Sequence, residues 1–377
     1  MIKKHRLVIS ILIIVSIYTF INTLSLPKHR TSTLNNPKVR LLQELEKNKN
    51  WRQDGFNFQS NNMAKLPESS TLRNQLAFHF PYEPSKPFEK SIWQTWKVSL
   101  SDENFPIKYK SYQREWENLN PGYQHHILAD GECHSLISQI YSTVPDVAKA
   151  YKLMPKSILK ADFFRYLILF ARGGVYSDID TVGIKPIKDW MSSKSKIYDK
   201  ENTVGLVVGI EADPDRPDWN DWYARRIQFC QWTIQAKKGH PMLKNLIAKI
   251  TEITLEREEN GQLEKVLGKD AGGDIMDWTG PGIWTDAVFQ YMNNAAQSPE
   301  DLKSGKVEDI ITWKIFTGIQ SPVVIDDVLV LPITSFSPDV GQMGAKSTND
   351  PYCYAKHMFS GSWKDDKPKH KPKPKKD

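Results

Sequence analysis

The chain has 377 residues, 40% of them hydrophobic, and a formal net charge of +7. Its excess positive charge lies at the two ends. Residues 1–40 hold seven basic residues and no acidic one, residues 364–377 hold seven lysines against three aspartates, and the body between them has a net charge of −4. The basic pI of about 9.0 therefore does not indicate a nucleic-acid-binding protein. The length and apolar content allow one large core with appendages.

A mostly apolar run at residues 7–26 follows three basic residues in the first six positions. Its length approaches the roughly 20 residues that cross a bilayer. Because no typical cleavage site follows, an uncleaved signal-anchor is favoured over a cleaved signal peptide. Residues 1–6 would be a cytosolic tail, 27–77 a polar stem, 78–363 the catalytic body and 364–377 a disordered Lys/Pro-rich tail. Basic residues flank the run on both sides, so charge alone does not fix its orientation.

The three cysteines, Cys133, Cys230 and Cys353, are too few and too irregularly spaced for a zinc cluster or a disulfide framework. They leave room for one bridge and one free thiol. The apolar spacing of residues 222–234 predicts an amphipathic helix, in which Cys230 would be a core residue.

Residues 157–181 form the central stretch of the sequence. Ser157 is a suitable N-cap, the apolar residues after it have helical spacing, and Gly173-Gly174 predicts the end of the helix. A short strand is predicted at 175–177. With the other alternating strand and helix patterns, it predicts an α/β fold.

Asp178 and Asp180 follow that strand at its carboxyl end, where open α/β sheets bind ligands. Two carboxylates at this position suit Mg²⁺ or Mn²⁺ holding a diphosphate. The Asp-x-Asp spacing alone is weak evidence, since a chain of this length contains roughly one by chance. A second example, Asp213-Pro-Asp215, lies in a loop-like segment without a strand before it.

Asp162 and Arg165 lie three residues apart, on one face of the predicted apolar helix. A structural ion pair is one interpretation. A buried pair is often no more stable than hydrocarbon, so its closeness to a candidate metal site favours a functional role.

These residues, Asp162-x-x-Arg165, Gly173-Gly174 and Asp178-x-Asp180, resemble the sugar-binding region of glycosyltransferases that use a nucleotide-sugar and Mn²⁺. Stretches at 91–97, 209–216, 278–282 and 356–363 are similar to those of the fungal Golgi alpha-1,6-mannosyltransferases of the DXD-containing family 32. The resemblance covers roughly residues 78–363.

The resemblance implies a type A glycosyltransferase-like α/β/α nucleotide-sugar-binding domain behind a single transmembrane helix and stem. It implies a type II protein of the Golgi membrane with its catalytic body in the lumen. The activity would be transfer of mannose from GDP-mannose to the N-linked glycan core, in alpha-1,6 linkage with retention, to initiate the outer chain. Its partners would be N-linked oligomannose glycans and other mannosyltransferase subunits.

The resemblance also implies roles for individual residues. Asp162, Arg165, Asp178 and Asp180 would be catalytic, and Trp93 would stack on the nucleobase. The other residues expected at the donor or the metal are Tyr176, Gly173 and Gly174 for the donor, and His357 as a third Mn²⁺ ligand beside Asp178 and Asp180.

Two further segments are candidates for the acceptor or the cleft. The Asp- and Trp-rich segment 211–222 offers carboxylates and flat rings to sugars, although a solvated loop explains it equally well. The glycine-containing turn at 278–282 precedes a predicted helix and is a candidate for backbone N–H groups that face a ligand. The residues singled out in these segments are Asp213, Asp215, Trp278, Gly280 and Asp286.

Three alternatives remain at this point. The sequence from Asp178 to Val182 also fits the aspartyl-phosphate hydrolase pattern, with Asp326 and Asp327 as its late acidic pair. That interpretation leaves the Asp162/Arg165 helix unexplained. The second alternative is a paralogue that extends glycan chains, and the third is a non-catalytic subunit of a mannan complex. No obvious carboxylate nucleophile is present, which favours a front-face mechanism.

Overall fold

The structure is a computed structural model that describes residues 66, 69–266, 274–296 and 311–361. Within these ranges no helix is both long and apolar enough to cross a membrane. The predicted signal-anchor at 7–26, most of the stem and the Lys/Pro-rich tail lie outside the described residues.

A mixed sheet of eight strands organises the described part of the chain. The strands are β1 (Ser91–Trp96), β2 (Gln124–Ala129), β3 (Gly174–Ser177), β7 (Leu206–Ala212), β8 (Gln228–Phe229), β9 (Thr233–Ala236), β10 (Val323–Ile325) and β11 (Val328–Leu331). Their order is β10-β11-β7-β9-β3-β1-β2, and β8 pairs with β7. Strand β9 runs antiparallel to both β3 and β7, so these two point the same way. The carboxyl ends of β1, β2, β3, β7 and β11 therefore share one edge of the sheet.

Two small antiparallel pairs accompany this sheet. Strand β4 (Thr181–Gly183) pairs with β12 (Ala355–His357), and β5 (Lys196–Ile197) pairs with β6 (Lys200–Glu201). The first pair joins the segment after Asp180 to the last described residues of the chain.

The helices are α1 (Leu72–His79), α2 (Ile107–Leu119), α3 (Asp130–Ile140), α4 (Pro145–Leu153), α5 (Ser157–Arg172), α6 (Pro241–Glu259), α7 (Asp274–Trp278), α8 (Pro281–Ala296) and α9 (Trp313–Phe316). Single 3₁₀ turns lie at Ile187–Asp189, Met191–Ser193, Trp219–Asp221 and Ile333–Ser335. The predicted boundary between stem and body, at 77/78, falls inside α1. Leu76 of this helix is fully buried, and Arg73 pairs with Glu252 of α6.

Helix α5 is the predicted central helix. It packs on β1, β3 and β9, and every residue from Asp162 to Ala171 is buried. The cap residue is Lys156 rather than Ser157, which is the first helical residue. The helix ends at Gly173 with φ of +68°, as the glycine pair predicts. Another part of the core lies where Val175 of β3 packs with Trp116 of α2 and with Trp190.

The helix predicted at 222–234 is wrong, because the structure has β8 and the start of β9 there. Every residue from 227 to 237 is buried, so this segment has no solvent-exposed face, as an amphipathic surface helix would have. Apolar spacing does not distinguish a short buried strand from a buried helix. Cys230 is buried as predicted, but all three cysteines are free thiols and no bridge forms among them.

Candidate active site

A cavity of about 470 Å³ opens at the carboxyl edge of the sheet. Its walls come from the ends of β1, β3 and β7, from α5, from the start of α8 and from the segment after β12. This volume lies within the range of small-molecule sites, and the edge is the one at which open α/β sheets bind ligands.

Asp162 and Arg165 form a buried pair in the wall of this cavity. The Arg165 Nη2 atom lies 3.1 Å from Asp162 Oδ1, and the two side chains are 4% and 1% exposed respectively. The same guanidinium nitrogen lies 3.4 Å from Asp178 Oδ1. The guanidinium also lies over the ring of Tyr176, 5.0 Å from its centroid. Arg165 thus connects α5 to the Asp-x-Asp segment. The Asp162–Arg165 pair therefore lies at the candidate metal site, as its predicted functional role requires.

Gln231 holds this pair in place. Its side-chain amide donates to Asp162 Oδ1 at 2.9 Å, and its backbone carbonyl accepts from Arg165 Nη1 at 3.1 Å. Tyr166 donates to the Gln231 side-chain oxygen at 2.6 Å, while Thr279 donates to Asp162 Oδ2 at 3.1 Å. Burial raises the pKa of Asp162 to about 7, although Arg165 and the two donors favour its charged form. The sequence pattern did not indicate Gln231, because it predicted a helix at that position.

Asp178, Asp180 and His357 form a cluster of candidate metal ligands. One ligand atom from each lies within 4.8 Å of the others, and His357 Nε2 is 3.2 Å from Asp180 Oδ1. Tyr176 donates to Asp178 Oδ1 at 2.8 Å. Burial raises the pKa of Asp178. Burial also opposes ionisation of Asp180, but His357 and the backbone N–H donors together outweigh it and lower the pKa of Asp180. Two carboxylates and an imidazole fit Mn²⁺ or another divalent ion.

Strand pairing brings His357 to this cluster across a long stretch of sequence. In the β4–β12 pair His357 lies opposite Thr181, and Met358 N–H donates to the backbone oxygen of Asp180 at 2.9 Å. Ser360 N–H donates to Asp180 Oδ2 at 2.9 Å. The imidazole stacks on Trp232 with ring centroids 4.6 Å apart, which fixes its orientation.

Trp93 does not line the cavity, so the structure gives no support to its predicted stacking role. Its ring is 7% exposed, stacks on His126 with centroids 4.1 Å apart, and donates to the backbone oxygen of Gly173 at 2.9 Å. Trp96, the last residue of β1, lines the cavity instead. The reason is position along the strand, since only the carboxyl end of β1 reaches the ligand-binding edge.

The glycine pair shapes the connection between α5 and β3. Gly173 and Gly174 have φ of +68° and +99°, and a Cβ atom on Gly174 would lie 2.4 Å from the backbone oxygen of Ser91. Both glycines lie at the opposite end of β3 from Asp178. They are therefore required by the backbone, and the structure does not place them at the donor.

The five residues predicted for the acceptor or the cleft do not line the cavity. Asp213 accepts from Arg226, Thr317 and the backbone N–H of Gly318, while Asp215 is exposed to solvent. These contacts hold the loop after β7 in place.

The remaining three belong to α7, α8 and the turn between them. Asp286 pairs with Arg225 at 2.6 Å, Trp278 is buried and donates to Thr254, and Gly280 forms a turn too tight for a side chain. The predicted segment 278–282 nevertheless reaches the site through neighbouring residues, since Thr279 binds Asp162 and Pro281 lines the cavity.

The two ends of the predicted segment 211–222, and the residue that follows it, do line the cavity. They are Glu211, at the end of β7, and Trp222 and Tyr223 in the loop that follows. Burial raises the pKa of Glu211 to about 7.

The acidic pair expected for an aspartyl-phosphate hydrolase lies away from Asp178. Asp327 precedes β11 at the amino edge of the sheet, whereas Asp178 follows β3 at the carboxyl edge. Asp327 accepts from Tyr82, Tyr291 and His240 at 2.9, 3.0 and 3.2 Å. This placement excludes Asp327 as the partner of a phosphorylated Asp178.

Residues 106–197 match the family model described as the glycosyltransferase sugar-binding region containing the DXD motif. The matched stretch includes α5, β3 and both carboxylates of the Asp-x-Asp segment. The fold and the site therefore define a DXD-containing glycosyltransferase.

Relatives narrow this class. The chain is 64% identical over 371 residues to the initiation-specific alpha-1,6-mannosyltransferase of Candida albicans, which covers 97% of this chain and 96% of the relative. Identity to the proteins of the same name is 39% in Saccharomyces cerevisiae (81% and 84% covered) and 46% in Schizosaccharomyces pombe (77% and 66% covered). The chain belongs to the family of initiation-specific alpha-1,6-mannosyltransferases. Among solved structures it is similar to PaToxG Glycosyltransferase, with 16% identity, 72% and 86% coverage and a TM-score of 0.37.

Proposed function

We propose that the protein transfers mannose from GDP-mannose to a mannose of the N-linked glycan core, in alpha-1,6 linkage with retention, and so initiates the outer chain. One observation carries the proposal: in a single cavity, Arg165 bridges Asp162 to Asp178, and Asp180 lies beside His357. The names of the relatives suggest the sugar and the linkage.

Asp178, Asp180 and His357 would hold Mn²⁺ or another divalent cation. When bound, the cation would neutralise the negative charge of the departing diphosphate. Asp180 is suited to this task because it is charged at neutral pH and lies beside His357.

Asp162 and Arg165 would bind hydroxyl groups of the donor mannose and fix its anomeric carbon toward the acceptor. The pair is held on several sides, by Gln231 and Thr279 on Asp162 and by the Gln231 carbonyl on Arg165. Such rigidity is what a positioning role requires.

We propose a front-face mechanism. The bond between the anomeric carbon and the phosphate oxygen breaks, the acceptor oxygen forms its bond on the same face, and the acceptor proton passes to the leaving phosphate. Gln231, Thr279 and Arg165 hold the Asp162 carboxylate, which suits it to orienting a donor hydroxyl group rather than to attacking the anomeric carbon. A trapped mannosyl-enzyme adduct would overturn this mechanism.

For the fold and location, we propose a type A glycosyltransferase arrangement and a type II Golgi membrane protein with a lumenal body. The antiparallel strand β9 between β3 and β7 supports the former. The apolar run at 7–26 and the family support the latter. An engineered glycosylation site near residue 40 tests the orientation, because the natural sequence contains no Asn-x-Ser/Thr site. An unmodified tag would contradict lumenal placement.

The activity is tested with the full-length protein, GDP-mannose, Mn²⁺ and a core oligomannose glycan. Asp180→Asn should abolish metal-dependent transfer. Asp215→Asn is the matched control, since Asp215 belongs to the second Asp-x-Asp and is exposed outside the cavity. Equal loss in both variants, or transfer that persists without metal, would contradict the proposal. Transfer only to glycans that already carry an alpha-1,6-linked mannose would indicate a chain-extending enzyme.

A further inference from the structure

The cavity mouth on the β7 side carries groups that the proposed donor machinery does not use. Glu211 lies at the carboxyl end of β7, Trp222 lies in the loop that follows, and Phe359 lies two residues after β12. All three line the cavity. They come from different parts of the chain, and each contributes to the wall of this cavity.

Trp222 and Phe359 are large apolar side chains that the fold leaves exposed, by 67% and 55% respectively. Few large apolar residues of the described chain are exposed to this extent, and these two share one cavity. Exposed aromatic rings at the mouth of a cavity are typical of a ligand-binding site.

Phe359 is held at the mouth by an unfavourable backbone conformation. Its φ is +46°, which is rare for a bulky residue and costs roughly 1–3 kcal/mol. The neighbouring contacts maintain it: Ser360 N–H binds Asp180, and the His357 ring packs edge-on against Phe359 with centroids 4.3 Å apart. Strain of this kind is concentrated at functional sites, and here it presents an apolar ring directly beside a candidate metal ligand.

Glu211 offers a hydrogen-bond acceptor in the wall of the same cavity. The side chain of Gln228 hydrogen-bonds to its carboxylate, and the Gln228 oxygen is itself occupied by the backbone N–H of Ala224 at 2.9 Å. The NH₂ group of Gln228 therefore faces Glu211. A carboxylate held in this way accepts hydrogen bonds from hydroxyl groups of a ligand.

Glu211 and Trp222 lie on the β7 side of β3, whereas space for the nucleotide lies on the other side of β3. In the order β7-β9-β3-β1-β2, β7 lies two strands from β3, or roughly 10 Å at ordinary strand spacing. On the other side of β3, a second cavity of about 340 Å³ adjoins the first at Thr95 and Asp130 and is lined by Lys156 and Lys160. That side offers room and positive charge for a nucleoside diphosphate, which leaves the β7 side for the acceptor.

We infer that Glu211, Trp222 and Phe359 form the subsite for the accepting mannose. The inference rests on the proposed transfer activity. An apolar face of the mannose ring packs on Trp222 or Phe359, and a ring hydroxyl donates to the Glu211 carboxylate. Aromatic side chains bind the flat face of a sugar and do not select one arrangement of its hydroxyl groups. The hydrogen bond to Glu211 would fix the orientation of the mannose ring.

The test separates acceptor binding from donor use in the full-length protein. At pH 8, where Glu211 with its pKa of about 7 is mostly ionised, Trp222→Ala, Phe359→Ala and Glu211→Gln should each raise the KM for a core oligomannose acceptor about tenfold. This is the size expected for loss of a stacked ring or a charged hydrogen bond. In Trp222→Ala and Glu211→Gln the KM for GDP-mannose should change much less than the KM for the acceptor. Phe359→Ala is left out of this comparison, because the Phe359 ring packs against His357. Trp222→Tyr should restore most of the acceptor affinity. Trp313→Ala is the matched control, because Trp313 is 37% exposed but lies outside the cavity.

A direct binding measurement complements the kinetics, with methyl α-mannoside as the probe and ligand-observed NMR as the readout. Signal in the wild type that is lost in Trp222→Ala and kept in Trp313→Ala supports the subsite. Variants that raise the KM for GDP-mannose instead would assign these residues to the donor and overturn the inference, as would unchanged acceptor KM values. If the wild type bound the mannoside but transferred no mannose, the proposed function would fail and the subsite would not.

Discussion

Gln231→Leu is the most informative single substitution in the candidate active site. The change keeps the approximate size of the side chain and removes only its amide. It eliminates the 2.9 Å donation to Asp162 and the 2.6 Å acceptance from Tyr166. The backbone carbonyl that binds Arg165 remains. The variant therefore isolates the role of the amide in holding the buried pair.

The expected cost follows from these two contacts. A hydrogen bond to a charged group contributes about 1.5–3 kcal/mol, so loss of the Asp162 contact sets most of the change. Tyr166 keeps the backbone oxygen of Thr279, 3.0 Å away, as an acceptor. Loss of the hydrogen bond from Tyr166 to Gln231 therefore lowers the free energy of unfolding by only about a few tenths of a kcal/mol. Burial of the leucine side chain offsets part of the sum. We expect the free energy of unfolding to fall by about 2–3 kcal/mol.

A second effect concerns catalysis. Asp162 would keep only Thr279 and Arg165 as partners, and the loss of a donor to its charged form would raise a pKa that is already about 7. More Asp162 would be protonated at pH 7. Transfer should therefore fall most near pH 6.5 and recover partly as the pH rises to 8.5.

The assay combines urea unfolding with the pH dependence of kcat/KM. Gln235→Leu is the control, because Gln235 is also buried and accepts from Ser192 at 2.6 Å, but lies outside the cavity. It should lose stability and keep the wild-type pH profile. A folded Gln231→Leu protein with unchanged donor KM and pH profile would refute the positioning role.

Three further outcomes follow from the geometry. Trp96→Ala should weaken GDP binding measured by calorimetry, whereas Trp93→Ala should lower the free energy of unfolding by about 3–5 kcal/mol and leave GDP affinity unchanged in the folded fraction. His357→Gln should lower Mn²⁺ affinity by at least about tenfold, measured by titration calorimetry, and unchanged affinity would exclude it as a ligand. Asp162 has a folded pKa of about 7, above its unfolded value of roughly 3.9, so the folded state binds the extra proton between these values. Wild-type stability in chelator should therefore fall as pH rises from about 4 to 7, by at most roughly 1.4 kcal/mol per unit, and Asp162→Asn should lack this slope.

The sequence was most informative where its signals are local. The helix from Ser157, the glycine pair and the strand before Asp178 depend on spacing and backbone conformation within 25 residues, and the structure has these elements within one residue of the predicted positions. The Asp162–Arg165 contact follows from the same helical spacing.

The remaining parts of the site depend on contacts that no local pattern specifies. Gln231 was missed because the apolar spacing of its segment was interpreted as a helix, whereas the segment is buried and lies between β8 and β9. Trp93 and Trp96 belong to one strand and carry the same side chain. Only the register with β2 and β3 decides which of them reaches the ligand-binding edge.

His357 shows why the metal cluster in particular required the fold. Nothing in its neighbourhood in the sequence distinguishes it from a surface histidine, and only the resemblance to a family suggested it. Strand β12 brings it beside Asp180 by pairing with β4, which begins immediately after Asp180. The same segment supplies the N–H groups of Met358 and Ser360 to the backbone and the carboxylate of Asp180. The orientation of Asp180 therefore depends on residues about 180 positions later in the chain. Loss of the β4–β12 pairing would remove His357, release Asp180 and withdraw Phe359 from the cavity mouth together.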